Sequence, residues 1–478
     1  MEDNTNTFIK RLLGFSLGPI LGALLGFLMT PITTYLIIPA EFGKASMYTM
    51  AFSLSSLFIY LGVDQAFVRE YNSKKDKKNL LWNCFLVPFL FSIIVSMVYI
   101  IFYKDISNLL FGSEEFFIIF VLVISLPVAV FQRFNSLIIR MEERAKLYSL
   151  ITVIRRVVNL PLLIVLLLLY ERSFKSIVLA QFLSLLFVGI VAFFINKRYW
   201  FSRIRINKNL IIQVVKFGLP LVPASIFAWL LNSMDKVALR SWSNFNELGL
   251  YSAAFKIVAI LSIINTAFST FWIPTSYRWY ENNVSNRKYE SVSNKLTTLF
   301  MLLFSMLILF KDYIIMILDT NYAKSAIMIP FLLFIPIMYS ISETTGCGIG
   351  FSRKTIFQVL ITGMAAGVNL LGNFLLVPIY GGLGASISTG ISFIVFFFAK
   401  TLISRKLWFR FDIKFYVINV SLMVTMASFS VIFDSFILEL IIFSILVIYN
   451  YSHIKYIFGI FKIFLKEIKN KMHREKQI

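Results

Sequence analysis

Histidine, cysteine and charge are scarce in this 478-residue chain, and each scarcity removes a class of chemistry. The two histidines, His453 and His473, stand near its far end, so the body of the chain offers no imidazole for acid–base catalysis. Cys84 and Cys347 lie 263 positions apart in apolar or glycine-rich surroundings. That spacing gives no metal-ligand set and no disulfide framework, and both read as packing residues. Charged residues make up 15% of the sequence against 58% hydrophobic ones, a balance that excludes an ordinary soluble domain. One nucleotide-binding imitation also fails. The stretch GIGFSRKT at 348–355 puts Arg353 where a phosphate loop needs its second glycine, and it joins two apolar runs where a strand and a helix are required. Energy for any work is therefore expected from an ion gradient or the membrane potential, with no cofactor.

What the chain has in abundance is apolar sequence. Runs long enough to cross about 30 Å of hydrocarbon, roughly 20 residues of helix each, recur fourteen times, from 14–37 to 436–455. The expected fold class is an all-α integral membrane protein with about 14 transmembrane helices. A formal net charge of +22 would suit nucleic acid, but the positions of the cations say otherwise. Assigning alternate connections to opposite sides puts 35 of the 46 Lys and Arg on one side and seven on the other, with four inside the apolar runs. Lys and Arg favour the cytoplasm, so both termini are expected there. Topology and attraction to anionic membrane lipids account for the charge, and no nucleic-acid partner is called for. The opening MEDNTNTFIKRLLGF has acids before bases and no cleavage signal, reading as a retained lead-in. The tail from Lys455 spaces Phe and Ile against Lys as a helix lying on the inner surface does.

An internal repeat organises the rest. Glu41-Phe42-Gly43-Lys44-Ala45-Ser46 and Glu247-Leu248-Gly249-Leu250-Tyr251-Ser252 share the pattern E-[FL]-G-x-x-S, 206 residues apart, after runs that open GFSLGPI and KFGLPLV. The interval covers six spans, an even number, so the halves are expected to be parallel repeats about an axis along the membrane normal. This predicts a lobe of helices 1–6 over 1–200, a second of helices 7–12 over 201–405, and helices 13–14 with the basic tail over 406–478. In the first run Gly14, Gly18, Gly22 and Gly26 form a small-residue stripe for close helix approach, and Pro19 and Pro31 can bend it. Asn369 and Asn373 lead through Pro378 to Gly381, Gly382 and Gly384, a polar and breakable stretch.

Four stretches carry a family resemblance: LIIPAEFGKASMY at 36–48, LGVDQAFVREY at 61–71, FGLPLVPASIFAWLLNSMDKVAL through NELGLYSAAFKI at 217–257, and NLLGNFLLVPIYGGLGASISTGISF at 369–393. On these the chain resembles polysaccharide flippases of the multidrug/oligosaccharidyl-lipid/polysaccharide exporter superfamily, most of all the O-antigen flippases. The glycine-rich run Gly346–Gly350 departs from that likeness. The resemblance implies two lobes around a central hollow that opens alternately to each side. It implies an undecaprenyl-diphosphate-linked oligosaccharide as cargo, the bacterial cytoplasmic membrane as location, and a polysaccharide polymerase and chain-length regulator as partners. No enzymatic activity is implied.

Such a cargo gives the intramembrane charges a task, because phosphates and sugars do not cross hydrocarbon unaided. Arg155, Arg156 and Lys256 are the candidate cations of a wet hollow; the two arginines also read as anchors a turn or so inside the boundary. Asp64 and Arg69 match the family's G-[LV]-D…R pattern but stand about 140° apart on an ideal helix, so Arg69 is free to face phosphate, lipid or an inner gate. Asp235 and Lys236 diverge by about 100°. Asp235 is expected to face inward, at a depth that suits an ion pair with Lys256, while Lys236 reaches outer headgroups. Glu343 is a third acidic candidate for coupling to H+ or Na+. A drug–cation antiporter would favour an acidic hollow, a peptidoglycan-precursor flippase would share the cations, and a membrane glycosyltransferase or polymerase would need catalytic carboxylates or histidines and a sizeable outward loop.

Overall fold

The computed structural model describes residues 5–201, 205–456 and 459; the basic tail beyond them lies outside the described residues. Hydrocarbon offers backbone groups no hydrogen bonds, and a helix satisfies them within one segment. All regular structure among the described residues is accordingly helical. In chain order the elements are α1 (Thr5–Leu36), α2 (Pro39–Tyr60), α3 (Val63–Glu70), α4 (Lys77–Ile101), α5 (Tyr103–Phe111), α6 (Phe116–Met141), α7 (Ala145–Leu169) and α8 (Phe174–Trp200). There follow α9 (Lys208–Gly218), α10 (Val222–Trp242), α11 (Phe245–Val258), α12 (Leu261–Glu281), α13 (Asn286–Leu309) and α14 (Lys311–Ile315). The last are α15 (Ile329–Leu332), α16 (Phe334–Thr345), α17 (Cys347–Phe351), α18 (Ile356–Leu407), α19 (Ile413–Ile432) and α20 (Phe436–Tyr449).

Among the described residues nine helices are long and apolar enough to cross a membrane, or up to eleven when each of two bent pairs counts as one span. The pairs are α2 with α3, bent by 53°, and α11 with α12, bent by 41°. Neither bend was expected, because an unbroken apolar run conceals backbone breaks. The first falls at Leu61 and Gly62, both with positive φ, a left-handed conformation that costs a Leu about 1–2 kcal/mol. Within α18 the backbone leaves helical geometry at Gly381 (φ 53°, ψ −128°), inside the stretch whose glycines predicted a break.

The helices gather into two compact units: Met1–Ile263 with Ile317–Ala323 and Asn369–Ala385, and Ile264–Met316 with Lys324–Val368 and Ser386–Ile478. In the first unit α2 packs on α11 and α1 on α7. Helices in lipid associate through close packing more than through a hydrophobic drive, and glycine permits the closest approach. A methyl group at Gly43 would strike the carbonyl of Phe245, and one at Gly249 the carbonyl of Pro39. Each repeat thus presses its motif glycine onto the start of the other's helix. The motif glutamates match as well. Glu41 Oε2 accepts the Phe174 N–H that opens α8 (2.9 Å), and Glu247 Oε2 accepts the Gly382 N–H that follows the break in α18 (2.9 Å). A carboxylate there satisfies an unpaired amide and the positive end of the helix dipole together.

In the second unit α19 and α20 pack together and on α13, with polar groups at both ends. Asn450 Nδ2 donates to Asn419 Oδ1 (2.7 Å), and Thr298 Oγ1 to Asn450 Oδ1 (3.2 Å). At the other end Lys311 Nζ donates to Asp434 (2.8 Å) and to Glu439 (3.2 Å). Lys311, expected in an outward loop, is buried, as is Glu439.

The motif glycines supply a direct test. Gly43→Ala and Gly249→Ala should each cost about 1–3 kcal/mol through overpacking, read as a lower Tm of purified protein in detergent. Gly367→Ala, whose added methyl meets nothing within 4 Å, should leave Tm level or slightly raised. Equal Tm values for all three would refute the tight contact.

Candidate functional site

Four cations of the first unit stand well inside their helices. Arg155 and Arg156 follow the start of α7 at Ala145 by ten and eleven residues, about 15–17 Å at 1.5 Å each. They are deeper than anchors a turn inside the boundary. Lys256 lies eleven residues into α11, which begins at Phe245. It is exposed, although Ala253, Ala254, Ile257 and Val258 around it are buried. Lys236 is six residues from the end of α10 at Trp242. These groups sense one another, for Lys256 lies within electrostatic reach of both Arg156 and Lys236. No carboxylate forms a salt bridge with any of the four among the described residues.

Local packing aims them. The stripe on α1 runs past α7: the Gly18 N–H donates to Ser149 Oγ (3.1 Å), and methyl groups at Gly22 and Gly26 would lie 3.9 Å from Arg156 Cγ and Cζ. Arg156 therefore extends along the Gly22 and Gly26 face of α1 at ordinary van der Waals distance. Gly14, Pro19 and Pro31 fall within the same helix. Lys256 Nζ sits 4.2 Å from the centroid of the Phe42 ring, a cation–π contact made by the residue beside Gly43. Lys236 Nζ lies 5.9 Å from the Phe255 ring.

Asp235 does not pair with Lys256. Its carboxylate, 2% exposed, accepts from Tyr251 Oη at 2.6 Å, Asn369 Nδ2 at 3.0 Å and Asn373 Nδ2 at 2.8 Å. Neutral donors from α11 and α18 satisfy its oxygens, so the expected ion pair is replaced by an amide and phenol cradle, with Lys236 within electrostatic reach of the carboxylate. Asn373 Oδ1 is buried without a hydrogen-bond partner. An anion bonded by neutral groups beside a spare carbonyl oxygen can accept a proton or a small cation. Sequence reasoning named all three polar residues but not their meeting, since Asn369 and Asn373 are 134 and 138 positions from Asp235.

The other candidates sort differently. Asp64, 7% exposed, binds Arg133 through Oδ2 (2.7 Å to Nη2, 3.3 Å to Nε). Arg133 was assigned to a loop, but α6 runs on to Met141. Helical spacing of Phe131, Phe134, Leu137 and Ile138 past this arginine was the signal available. Arg69 is exposed and lies 4.3 Å from the Phe217 ring. Glu343 is not a lone carboxylate, because Lys400 Nζ donates to its Oε1 at 2.7 Å and to Ser342 Oγ at 3.3 Å. Lys400, expected in a loop, is 5% exposed within α18. Among the described residues no cluster of three or more His, Cys, Asp and Glu could hold a metal ion.

This bundle of apolar helices, with its buried ion pairs, has counterparts among known folds. The chain superposes on the lipid II flippase MurJ in an inward closed conformation with a TM-score of 0.67 at 14% identity, covering 92% of this chain and 99% of that one. Two multidrug resistance MATE family transporters of the MOP superfamily match less closely. The inward-facing one gives 0.59 at 14% identity (83% and 97% covered), and the outward-facing one 0.54 at 16% (83% and 95%). The model of the polysaccharide biosynthesis protein family matches residues 10–279, and the chain belongs to that family. No curated protein matches it.

The Asp235 cradle can be probed by stability alone. Tyr251→Phe removes the shortest bond and should cost about 1–3 kcal/mol, the penalty for a buried acceptor left short of a partner. Thermal unfolding of the purified variant checks this; a Tm equal to wild type would mean that the phenol carries no weight there.

Proposed function

We propose that this protein flips undecaprenyl-diphosphate-linked oligosaccharide repeat units across the bacterial cytoplasmic membrane for surface-polysaccharide assembly, of which O-antigen is the leading case. One observation carries the reading: Arg155, Arg156, Lys236 and Lys256 lie well inside their helices with no salt-bridged carboxylate among the described residues. Two charges 4 Å apart interact by about 4 kcal/mol at an effective dielectric of 20, so unpaired cations at this depth favour an anionic headgroup where hydrocarbon repels it. Membership of the polysaccharide biosynthesis family supports the sugar-bearing cargo. The MurJ-like fold supports a lipid-linked one.

The topology that fits is fourteen spans in lobes of 1–200 and 201–405 with two further helices over 406–478, both termini cytoplasmic. The eleven spans counted with bent pairs joined become fourteen when α18 is divided at Gly381 and the shorter apolar helices Ile20–Leu36 and Phe436–Tyr449 are added. Asp235 is then the coupling carboxylate, taking H+ or Na+ as the lobes alternate, and Glu343, held by Lys400, is a structural ion pair. A polymerase and a chain-length regulator act on the product outside. A drug–cation antiporter fits less well, because the unpaired excess is positive.

Deleting the gene and analysing membrane lipids tests this. One inward-facing diphosphate-linked oligosaccharide should accumulate, and wild-type protein should clear it. Arg156→Gln with Lys256→Gln should fail to clear it at unchanged membrane abundance. Normal glycolipids with altered drug sensitivity would overturn the flippase in favour of the antiporter.

A further inference from the structure

Asp64 holds a further cation of the first unit, Arg133, and the manner of its contact is informative. A static ionic lock in a low-dielectric interior is stabilised when both partners are buried and both carboxylate oxygens meet the guanidinium fork. Here the two partners differ. The Asp64 side chain is 9% exposed and that of Arg133 is 37%, and both arginine bonds fall on the single oxygen Oδ2. Arg133 therefore spends two of its five N–H donors on Asp64 and presents an open side to a second acceptor. It also stands in the neighbourhood of Arg155, because Tyr60 lies within electrostatic reach of Arg133, Asp64 and Arg155 at once. Arg133 stands eight residues before the end of α6 at Met141, about 12 Å in, on the side taken as cytoplasmic.

Two features allow Asp64 to let go. Gln65 Nε2 donates to the same Oδ2 (3.2 Å) and keeps a hydrogen bond on the carboxylate when the arginine leaves. The left-handed residues Leu61 and Gly62 form a break just ahead of α3, and because Val63, Ala66 and Phe67 stay buried in the core, the departure of Arg133 loosens the hydrogen bonding of α3 without swinging the helix.

We propose that Asp64 is a built-in substitute for the cargo's phosphate: it holds Arg133 while the protein is empty, and an arriving diphosphate displaces it. This rests on the flippase reading and adds selectivity to it. A diphosphate gives Arg133 a bidentate acceptor in exchange for the carboxylate, whereas a neutral or zwitterionic lipid offers no net charge to replace it.

The test uses the full-length protein in detergent with geranylgeranyl diphosphate and geranylgeranyl monophosphate as probes. Asp64→Asn should bind the diphosphate roughly threefold or more tightly than wild type, within the range expected of directly coupled residues. Arg133→Gln should bind it more weakly, and the double variant should follow Arg133→Gln. Asp64→Glu, which keeps the competing charge, should stay near wild type. In wild-type protein, hydrogen exchange of the amides of residues 63–70 should rise when the diphosphate binds and less with the monophosphate. Affinity unchanged or lowered in Asp64→Asn, with exchange in α3 unaffected by the probe, would make the pair a static lock and overturn the proposal. Absence of diphosphate binding by wild type would instead sink the flippase reading on which it stands.

Discussion

The mutual contact of Gly43 and Gly249 with the opening turns of the opposite repeat is the constraint on which the first unit depends. Each glycine lies against a backbone carbonyl, Phe245 for one and Pro39 for the other, so neither position has room for a side chain. That approach sets α2 against α11. Once set, the residues beside the glycines have defined neighbours: Phe42 lies under Lys256, and Tyr251 reaches Asp235. The glutamates two positions earlier cap helix starts elsewhere in the unit. One six-residue pattern, used twice, thereby spaces the helices and terminates two of them.

Charge is distributed by the same economy of small residues. Arg156 runs beside Gly22 and Gly26 of α1 at ordinary contact distance, and Gly346 stands where an added methyl would come within 2.5 Å of Lys400 Cε. In both cases a long cation extends beside a glycine backbone. The outcomes differ because the surroundings differ. Lys400 meets Glu343 and is neutralised, while Arg156 meets no such partner among the described residues. The surroundings differ in burial too: Lys400 is buried, whereas Arg156 is exposed on the surface of its helix.

Much of this was legible in the sequence. Apolar runs gave the helices, because hydrocarbon thickness fixes how long a run must be, and the twin E-[FL]-G-x-x-S pattern gave the repeat. The turn between α19 and α20 falls at Asp434, as the short gap between two runs required, and its φ of 41° marks it. The bends at Leu61 and after Val258 were not legible, since hydropathy records what a side chain prefers and not what its backbone does. Pairings across long separations were hidden too: Asp64 with Arg133, Glu343 with Lys400 and Asp235 with its asparagines each join residues 57 to 138 positions apart. Arg133 and Lys400 were misplaced for a common reason. A cation near the end of an apolar run reads as loop, although the helix continues and carries it into the interior.

The replacement of the expected Asp235–Lys256 pair by an amide cradle has a consequence for the whole unit. Had the two paired, one negative and one positive charge would have cancelled, and both would have been lost to any ligand. Amide and phenol donors meet the hydrogen-bonding needs of the carboxylate oxygens while leaving the net charge in place. Among the described residues the cation has no salt bridge and lies against the face of Phe42, a contact worth about 0.5–2 kcal/mol. Neutral groups therefore solvate each charge separately, so the negative and positive charges persist side by side in one compact unit. Two opposite charges kept apart can respond to two different ligands, a cation at one and an anion at the other, and any coupling between two such sites would be reciprocal.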